Sequence, residues 1–226
     1  MSGKHTRYER QIMIFGKSGQ NKLEKARVCI AGCGGLGSIA GQYLAMAGVG
    51  SIRLIDYDDV SMPNLNRQFY SLSEIGKPKT ACLKKRLLKL NPEAKIEPCQ
   101  ARITRKNCGQ LIKDCDLVLD CLDNLESRLV LSDACESLGK PLVHGSVQGF
   151  SGQQITLLPG SGYLRKLLSG KIQPKGNTPV LGPAPGFIGS LQAMEAMKLI
   201  TGFGKPNTRL LIFDGEANRA EYLAIK

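Results

Sequence analysis

Gly32-Cys33-Gly34-Gly35-Leu36-Gly37 stands between the apolar run Arg27 to Ala31 and the periodic segment Leu36 to Ala47. That order of strand, glycine loop and helix dictates a βαβ unit. Glycines there let the backbone approach phosphate oxygens with no Cβ in the way, and the helix N-terminus offers N–H groups and the positive end of its dipole. Gly48 closes the helix and strand Ser51 to Asp56 follows. Asp56 falls about twenty residues past the loop, the position from which a carboxylate accepts hydrogen bonds from ribose hydroxyls. Gly32, Gly34, Gly35, Gly37 and Asp56 are therefore candidate nucleotide contacts. A glycine-rich turn used only for close packing is the alternative, and the loop alone serves NAD, FAD and ATP equally.

The same alternation of strand and helix continues downstream. Tyr8, Ile12 and Phe15 predict a short first helix and Ser18 to Ala26 a second. An irregular stretch from Tyr57 to Gly76 has the length of a functional loop, and a helix with Pro78 in its first turn ends before Asn91-Pro92. Then come strand 95–101, marked as an edge by Pro98, helix 104–114, strand 116–121, helix 125–138 and strand 141–146. After Gly149 the rhythm changes to a strand over 153–158 and a Gly-, Pro- and Lys-rich segment from Pro159 to Pro185, expected to lie outside the core. Helix 187–200 sets Phe187, Leu191, Met194, Met197 and Ile200 on one side and Gln192, Glu195 and Lys198 on another. Strands 208–213 and 219–225 close the chain around an Asp214-Gly215 turn. The expected architecture is a Rossmann-like α/β domain over 1–226, with helices on both faces of a mixed sheet that is parallel first and antiparallel at its C-terminal extension.

Composition narrows the partners. No apolar run approaches the length of a membrane helix, and no apolar stretch follows the charged start MSGKHTRYERQ, so neither a membrane span nor a secretory leader is expected and the chain reads as cytoplasmic. The net charge of +12 favours an anionic partner. The densest basic run, Lys84-Lys85-Arg86 with Lys89, reads as the solvated face of a helix whose other face carries Leu83, Leu87 and Leu90. Few aromatics interleave with these charges, which argues against nucleic acid as the partner. No two of the eight cysteines are separated by only two residues, so a C-x-x-C zinc site cannot be built, and no disulfides are expected.

ATP and NAD are separated by cations. Bringing a carboxylate to an already negative α-phosphate requires that their repulsion be cancelled, and at an effective dielectric of 20 each charge pair at 4 Å is worth about 4 kcal/mol. Arg67 in Asn64-Leu65-Asn66-Arg67-Gln68 and Lys79 in Gly76-Lys77-Pro78-Lys79 flank the long loop. A lysine in the first turn of a helix opposes the dipole, so its presence calls for a reason. Asp123, in Asp120-Cys121-Leu122-Asp123-Asn124, lies at the carboxyl edge of the sheet, where it serves either as a magnesium ligand or, like Asn124, as the cap of the following helix. His144, at the end of strand 141–146, reads as a core residue.

The motifs R-Y-x-R-Q (7–11), G-C-G-G-L-G-S (32–38), A-G-V-G (47–50), L-I-D-x-D-x-V (54–60), N-L-x-R-Q (64–68), G-K-P-K (76–79), L-N-P (90–92) and D-C-x-D-N (120–124) occur in the order seen in the ThiF/MoeB/HesA family, which this chain resembles. The likeness runs on through the G-S-L-Q-A-M-E-A-M-K helix and Phe213-Asp214-Gly215. The resemblance implies a homodimer that uses ATP and Mg2+ to adenylate the C-terminal Gly-Gly of a small ubiquitin-like sulfur carrier, of the ThiS type for thiamine or the MoaD type for molybdopterin. Within it Gly35 would contact the nucleotide, Asp56 the ribose, Arg67 and Lys79 the phosphates and Asp123 the magnesium, with Asn64 and Leu122 beside them. Arg10 would reach the phosphates of the partner subunit. A NAD-dependent oxidoreductase and a non-catalytic nucleotide-binding scaffold are the alternatives; the Arg10, Arg67, Lys79 and Asp123 set argues against the second.

This sequence departs from the family's pattern in two places. Zinc-binding C-x-x-C pairs are missing, with Tyr163-Leu164-Arg165-Lys166 where the first would fall, so no zinc is expected. The crossover loop, residues 159–182, has no cysteine before its G-P motif. A covalent step through that loop is therefore not expected, and sulfur would come from a separate donor. Cys121 is a poor substitute because its neighbours bury it.

Overall fold

A computed structural model of the chain describes residues 7–162, 164, 167 and 179–224. The elements, in chain order, are α1 (Glu9–Lys25), β1 (Arg27–Ala31), α2 (Gly35–Met46), β2 (Ser51–Asp56), α3 (Lys79–Leu90), β3 (Lys95–Gln100), α4 (Cys108–Ile112), β4 (Leu117–Asp120), α5 (Leu125–Ser137), β5 (Leu142–Gln148), β6 (Ser151–Leu157), α6 (Pro183–Thr201), β7 (Leu210–Asp214) and β8 (Arg219–Leu223). Eight strands form one sheet in the order β3-β2-β1-β4-β5-β6-β7-β8. The pairings among β1 to β5 are parallel and those from β5 to β8 antiparallel. Pro98 does sit on the edge strand, where its missing N–H costs no ladder bond. One core, built from α1, α2, α3 and α6, covers one face of the sheet, and a second from α4 and α5 covers the other. Among the described residues no helix is long and apolar enough to cross a membrane.

Several expected boundaries move, each for a local reason. The two N-terminal helices run together as α1 and bend at Gly16, which adopts φ 70° and ψ 173°. Helix α4 is short, because Asn107 Oδ1 accepts from Thr104 N and Oγ1 and holds residues 104–107 in a turn. The β7–β8 connection is longer than a two-residue Asp-Gly turn: Asp214 Oδ1 accepts from the N–H groups of Glu216 and Ala217, and Asn218 sits at φ 51°. Residues 57–76 contain two 3-10 turns, Met62–Asn64 and Leu72–Glu74, each closed by a capping box.

The largest correction concerns α6. It begins at Pro183, and Ala184 and Pro185 are buried, so the end of the Gly-, Pro- and Lys-rich segment belongs to the core after all. Its expected apolar side packs only in part, through Leu191, Met197 and Ile200. Gln192 and Glu195 are buried while Phe187 and Met194 are exposed. The polar pair is satisfied internally. Gln192 Nε2 donates to the carbonyls of Asp120 and Val143, and Glu195 accepts from Thr156 Oγ1, Asn207 N and Lys198 Nζ. Small residues between them (Gly189, Ala193, Ala196) let α6 lie close to the sheet and α2, and a side chain at Gly189 would meet the Leu36 carbonyl at 2.6 Å.

Three separate motifs meet at the far end of α2. Arg7 donates to Leu90 O, Asn91 Nδ2 donates to Ala45 O and Tyr8 Oη, and Gln11 Nε2 donates to Ala47 O. Gly48, at φ 86°, gives the Tyr8 ring its seat, since a Cβ there would fall 2.6 Å from it. R-Y-x-R-Q is thus tied to A-G-V-G and L-N-P, while Arg10 stays exposed on α1.

At the glycine loop, a Cβ on Gly37 would come within 1.9 Å of the Gly32 carbonyl oxygen, whereas Gly109 in α4 has open space around it. Gly37→Ala is expected to destabilise the fold by at least about 2 kcal/mol, read by denaturant unfolding, against no loss for Gly109→Ala. Equal midpoints for the two variants would contradict the packing assignment.

Candidate active site

The carboxyl ends of β1, β2, β4 and β5 open into one cleft of about 1370 Å³. Gly32, Gly34, Gly35, Asp56, Asn64, Arg67, Lys79, Leu122 and Asp123 all line it. Gly37 does not, and neither does Arg10, whose expected place is at the phosphates of the partner subunit. Gly37 faces the β1–α2 turn, so it serves close packing of helix on strand. Arg10 lies on exposed α1, away from the cleft of its own chain.

The loop geometry explains its glycines. Gly32 takes φ 95°, and a side chain on it would fall 2.5 Å from Cys121 O; one on Gly35 would fall 2.9 Å from Pro185 at the start of α6. The Cys121 carbonyl, the Arg67 carbonyl and the Pro185 ring therefore close around the N-terminus of α2. Asp56 reaches back from the end of β2, where Oδ2 accepts from Cys33 N at 2.6 Å and Oδ1 from Asp58 N at 2.9 Å. A carboxylate has about four acceptor positions, so two remain for ribose hydroxyls. Burial pushes the Asp56 carboxyl up from its ordinary range, opposed in part by Lys79 and the two N–H bonds.

Lys79 opens α3 with its side chain buried and Nζ 2.9 Å from Asp58 Oδ2. That pair is the reason its position at a helix N-terminus requires: the charge is held by Asp58 at the cleft wall. Tyr70 Oη donates to Cys33 O at 2.6 Å, tying the long loop to the glycine turn. Arg67 follows the first 3-10 turn and folds back on it, donating to Pro63 O at 2.7 Å and Asn66 Oδ1 at 3.0 Å. Those partners are exposed and neutral, so the guanidinium exchanges them for a phosphate at small cost. Asn64 Oδ1 accepts from Ser61 N and Oγ in the capping box, a positioning job within the turn that carries Arg67.

The two readings of Asp123 separate cleanly. Asn124 caps α5, with its side chain accepting from Ser127 N at 2.9 Å, and Asp123 is exposed to the cleft with a long 3.4 Å bond from Asn124 Nδ2. Among the described residues no group of three or more His, Cys, Asp or Glu side chains is arranged to hold a metal. One open carboxylate beside a phosphate-sized cleft does fit Mg2+, which is commonly bound by one or two carboxylates together with substrate phosphates and water.

Beneath Asp123 lies a buried polar group that sequence reasoning resolved only in part. His144 is buried as expected, and its Nδ1 lies 2.7 Å from Asp120 Oδ2. Arg128 and Gln153, neither of which stood out in the sequence, join them, with Gln153 Nε2 3.2 Å from His144 Nε2. Burial pushes the Asp120 carboxyl up, and the Arg128 charge and the His144 bond outweigh it, leaving it below the usual carboxylate range. Gln68 was also missed: it is buried at the cleft wall, and among the described residues nothing bonds its Oε1. Cys121 is buried, with its thiol turned to Gln192 and pushed up by burial. Most of the crossover segment, and all but Leu164 of 163–166, lie outside the described residues.

The cleft lies at the carboxyl edge of a Rossmann-like sheet, and comparison with known proteins identifies the family to which that sheet belongs. The chain matches the ThiF family over residues 8–226 and belongs to that family. It is 39% identical over 228 residues to the Escherichia coli protein named sulfur carrier protein ThiS adenylyltransferase, covering 97% of this chain and 91% of that one. A Thermus thermophilus sulfur carrier protein adenylyltransferase is 39% identical over 223 residues, covering 92% and 82%. A Drosophila yakuba adenylyltransferase and sulfurtransferase MOCS3 is 42% identical over 231 residues, of whose length this chain spans only 51%. Among solved structures, Escherichia coli MccB superposes with a TM-score of 0.84 at 22% identity, covering 99% of this chain and 72% of that one, a likeness of fold.

With Asp56 ionised the ribose hydroxyls have a full acceptor; protonated, they share it with a hydrogen. Because burial raises this carboxyl, ATP affinity is expected to fall with acidification starting above the ordinary aspartate value of about 3.9. Titrating ATP binding by calorimetry as pH is lowered checks this, with Asp56→Ala weaker and flat over the same range. A wild-type curve parallel to that of the variant would contradict it.

Proposed function

We propose that this chain adenylates the C-terminal glycine of a small ubiquitin-like sulfur carrier, using ATP and releasing pyrophosphate. The observation that carries the reading is the convergence of Gly34, Gly35, Asp56, Arg67, Lys79 and Asp123 on one cleft, in a chain whose relatives are named sulfur carrier adenylyltransferases. The whole span 1–226 is read as one adenylation unit. Thiamine synthesis is slightly favoured over molybdopterin synthesis, by the likeness to the ThiS adenylyltransferase.

In this reading the N–H groups at the start of α2 and the Asp56 carboxylate seat the triphosphate and ribose. A carboxylate oxygen of the carrier attacks the α-phosphorus; the bond to the oxygen bridging α and β breaks, and its electron pair leaves with pyrophosphate. Arg67 and Lys79 neutralise the phosphate oxygens, and at an effective dielectric of 20 two such cations offset roughly 8 kcal/mol of repulsion. Mg2+, when bound at Asp123, supplies further positive charge to the phosphates. Carrier sulfuration then uses a separate donor.

The assembly is read as a homodimer. Two observations support it: Arg10 does not line its own cleft, and the packed pair α1 and α6 leaves Met13, Ile14 and Met194 exposed. Such an apolar surface suits a second copy of the chain, and an arginine contributed across it would complete the partner's phosphate site.

ATP–pyrophosphate exchange with a carrier ending in Gly-Gly tests the reaction. Exchange should require the carrier and fall by roughly 100-fold or more in Arg67→Ala and Asp123→Ala. Exchange that needs no carrier, or that survives both changes, would refute the mechanism. Mixing inactive Arg10→Ala and Asp123→Ala proteins tests the shared site. Random pairing makes half the dimers mixed, with one of their two sites intact, so activity should return to about a quarter of wild type. No recovery on subunit exchange would exclude contribution of Arg10 across the interface.

A further inference from the structure

The fully buried Asp120 requires a counter-charge, and Arg128 supplies it, but Arg128 directs its hydrogen bonds elsewhere. Its Nη1 is 3.6 Å from Asp120 Oδ2, beyond hydrogen-bond distance, while it donates to Gly145 O at 3.0 Å and, through Nη2, to Leu122 O. The close bonds to Asp120 come instead from His144 Nδ1 and from Leu122 N at 3.1 Å. The guanidinium fork thus bridges two carbonyls, one from the turn after β4 and one from β5, an arrangement that a planar five-donor group makes and a simple charge does not need. Leu122 has both its N–H and its carbonyl fixed, and Asn124 is fixed by its bond from Ser127 N. Asp123 is the residue between them, and its side chain turns into the cleft.

We propose that Arg128 is a positioning residue for the metal site: by clamping Leu122 O to Gly145 O it holds the turn in the one shape that presents the Asp123 carboxylate to a divalent cation on the nucleotide. This inference rests on the reading of Asp123 as the magnesium carboxylate. It assigns Arg128 no contact with the phosphates or the carrier, so its loss should act entirely through Asp123.

Mn2+ replaces Mg2+ in the test, because its paramagnetism reports binding without turnover. Wild type, Asp123→Asn, Arg128→Lys and the double variant are titrated with Mn2+ in the presence of an ATP analogue carrying a methylene between the α- and β-phosphorus, read by water-proton relaxation. Arg128→Lys keeps the positive charge beside Asp120 but not the fork; Arg128→Met combined with Asp120→Asn removes both charges together and serves if the lysine variant unfolds. The expected result is an about tenfold or greater loss of Mn2+ affinity in Arg128→Lys, with analogue affinity in EDTA unchanged and no further loss in the double variant over Asp123→Asn alone. Hydrogen exchange at residues 121–124 should rise in the same variant. Full Mn2+ affinity in Arg128→Lys, an equal loss of analogue in EDTA, additive losses in the double variant, or no Mn2+ bound by wild type would each overturn the proposal. If the expected Mn2+ pattern holds while wild type shows no carrier-dependent pyrophosphate exchange, the assignment of Arg128 stands and the adenylation reading falls.

Discussion

The approach of α2 to the end of β1 sets everything else in the site. Gly37 lies so close to the Gly32 carbonyl that no side chain fits between them, and Gly32 itself turns the chain with a positive φ against the backbone of Cys121. This contact brings the N-terminus of α2 to the carboxyl edge of the sheet, beside the ends of β2 and β4. Asp56 and Asp123 reach the same volume only because their strands flank β1 in parallel register. The electrostatics of the cleft follow from backbone packing.

Charge in the cleft is arranged in pairs that can be exchanged. Lys79 is held by Asp58 at the wall, and Arg67 rests on neutral acceptors of its own turn. Asp56 is half-buried at the cleft wall, and the desolvation that raises its carboxyl is partly offset by N–H bonds and Lys79. In the proposed reading a bound triphosphate takes over these charges. Deeper in, Asp120, His144 and Arg128 form a layer in which each buried polar group has a partner, and the turn above it is bonded to that layer.

The change from parallel to antiparallel strands, the glycine loop and most of the cleft residues were legible because they rest on short-range signals. These are glycines between a strand and a helix, an acid at the next strand end, and cations bordering a long loop. Recognition of ordered motifs added Arg10 and the Asp123 role. What the sequence concealed was long-range. Gln192 and Glu195 look like a solvated helix face until Asp120 O, Val143 O, Thr156 and Asn207 are brought to them by the sheet. Arg128 reads as one more helical arginine, since its partners Leu122 O and Gly145 O come from the turn after β4 and from β5. Gly37 matched the nucleotide pattern but serves packing, a distinction that a pattern of residue types does not carry. The two capping boxes around Asn64 and Glu74 were written in Ser61 and Ser71, three residues ahead of each, and were readable in principle.

The central claim is that fixed cations in this cleft let two anions react at the α-phosphorus of a bound triphosphate. A crystal structure of the protein with the methylene-bridged ATP analogue and magnesium tests it most directly. The account predicts the triphosphate along the N-terminus of α2, the ribose on Asp56, the Arg67 guanidinium moved from Pro63 O onto the phosphates, and Lys79 Nζ in contact with them. A bound nucleotide that leaves Arg67 on its own turn and Lys79 directed only at Asp58, both remote from the α-phosphorus, would contradict it.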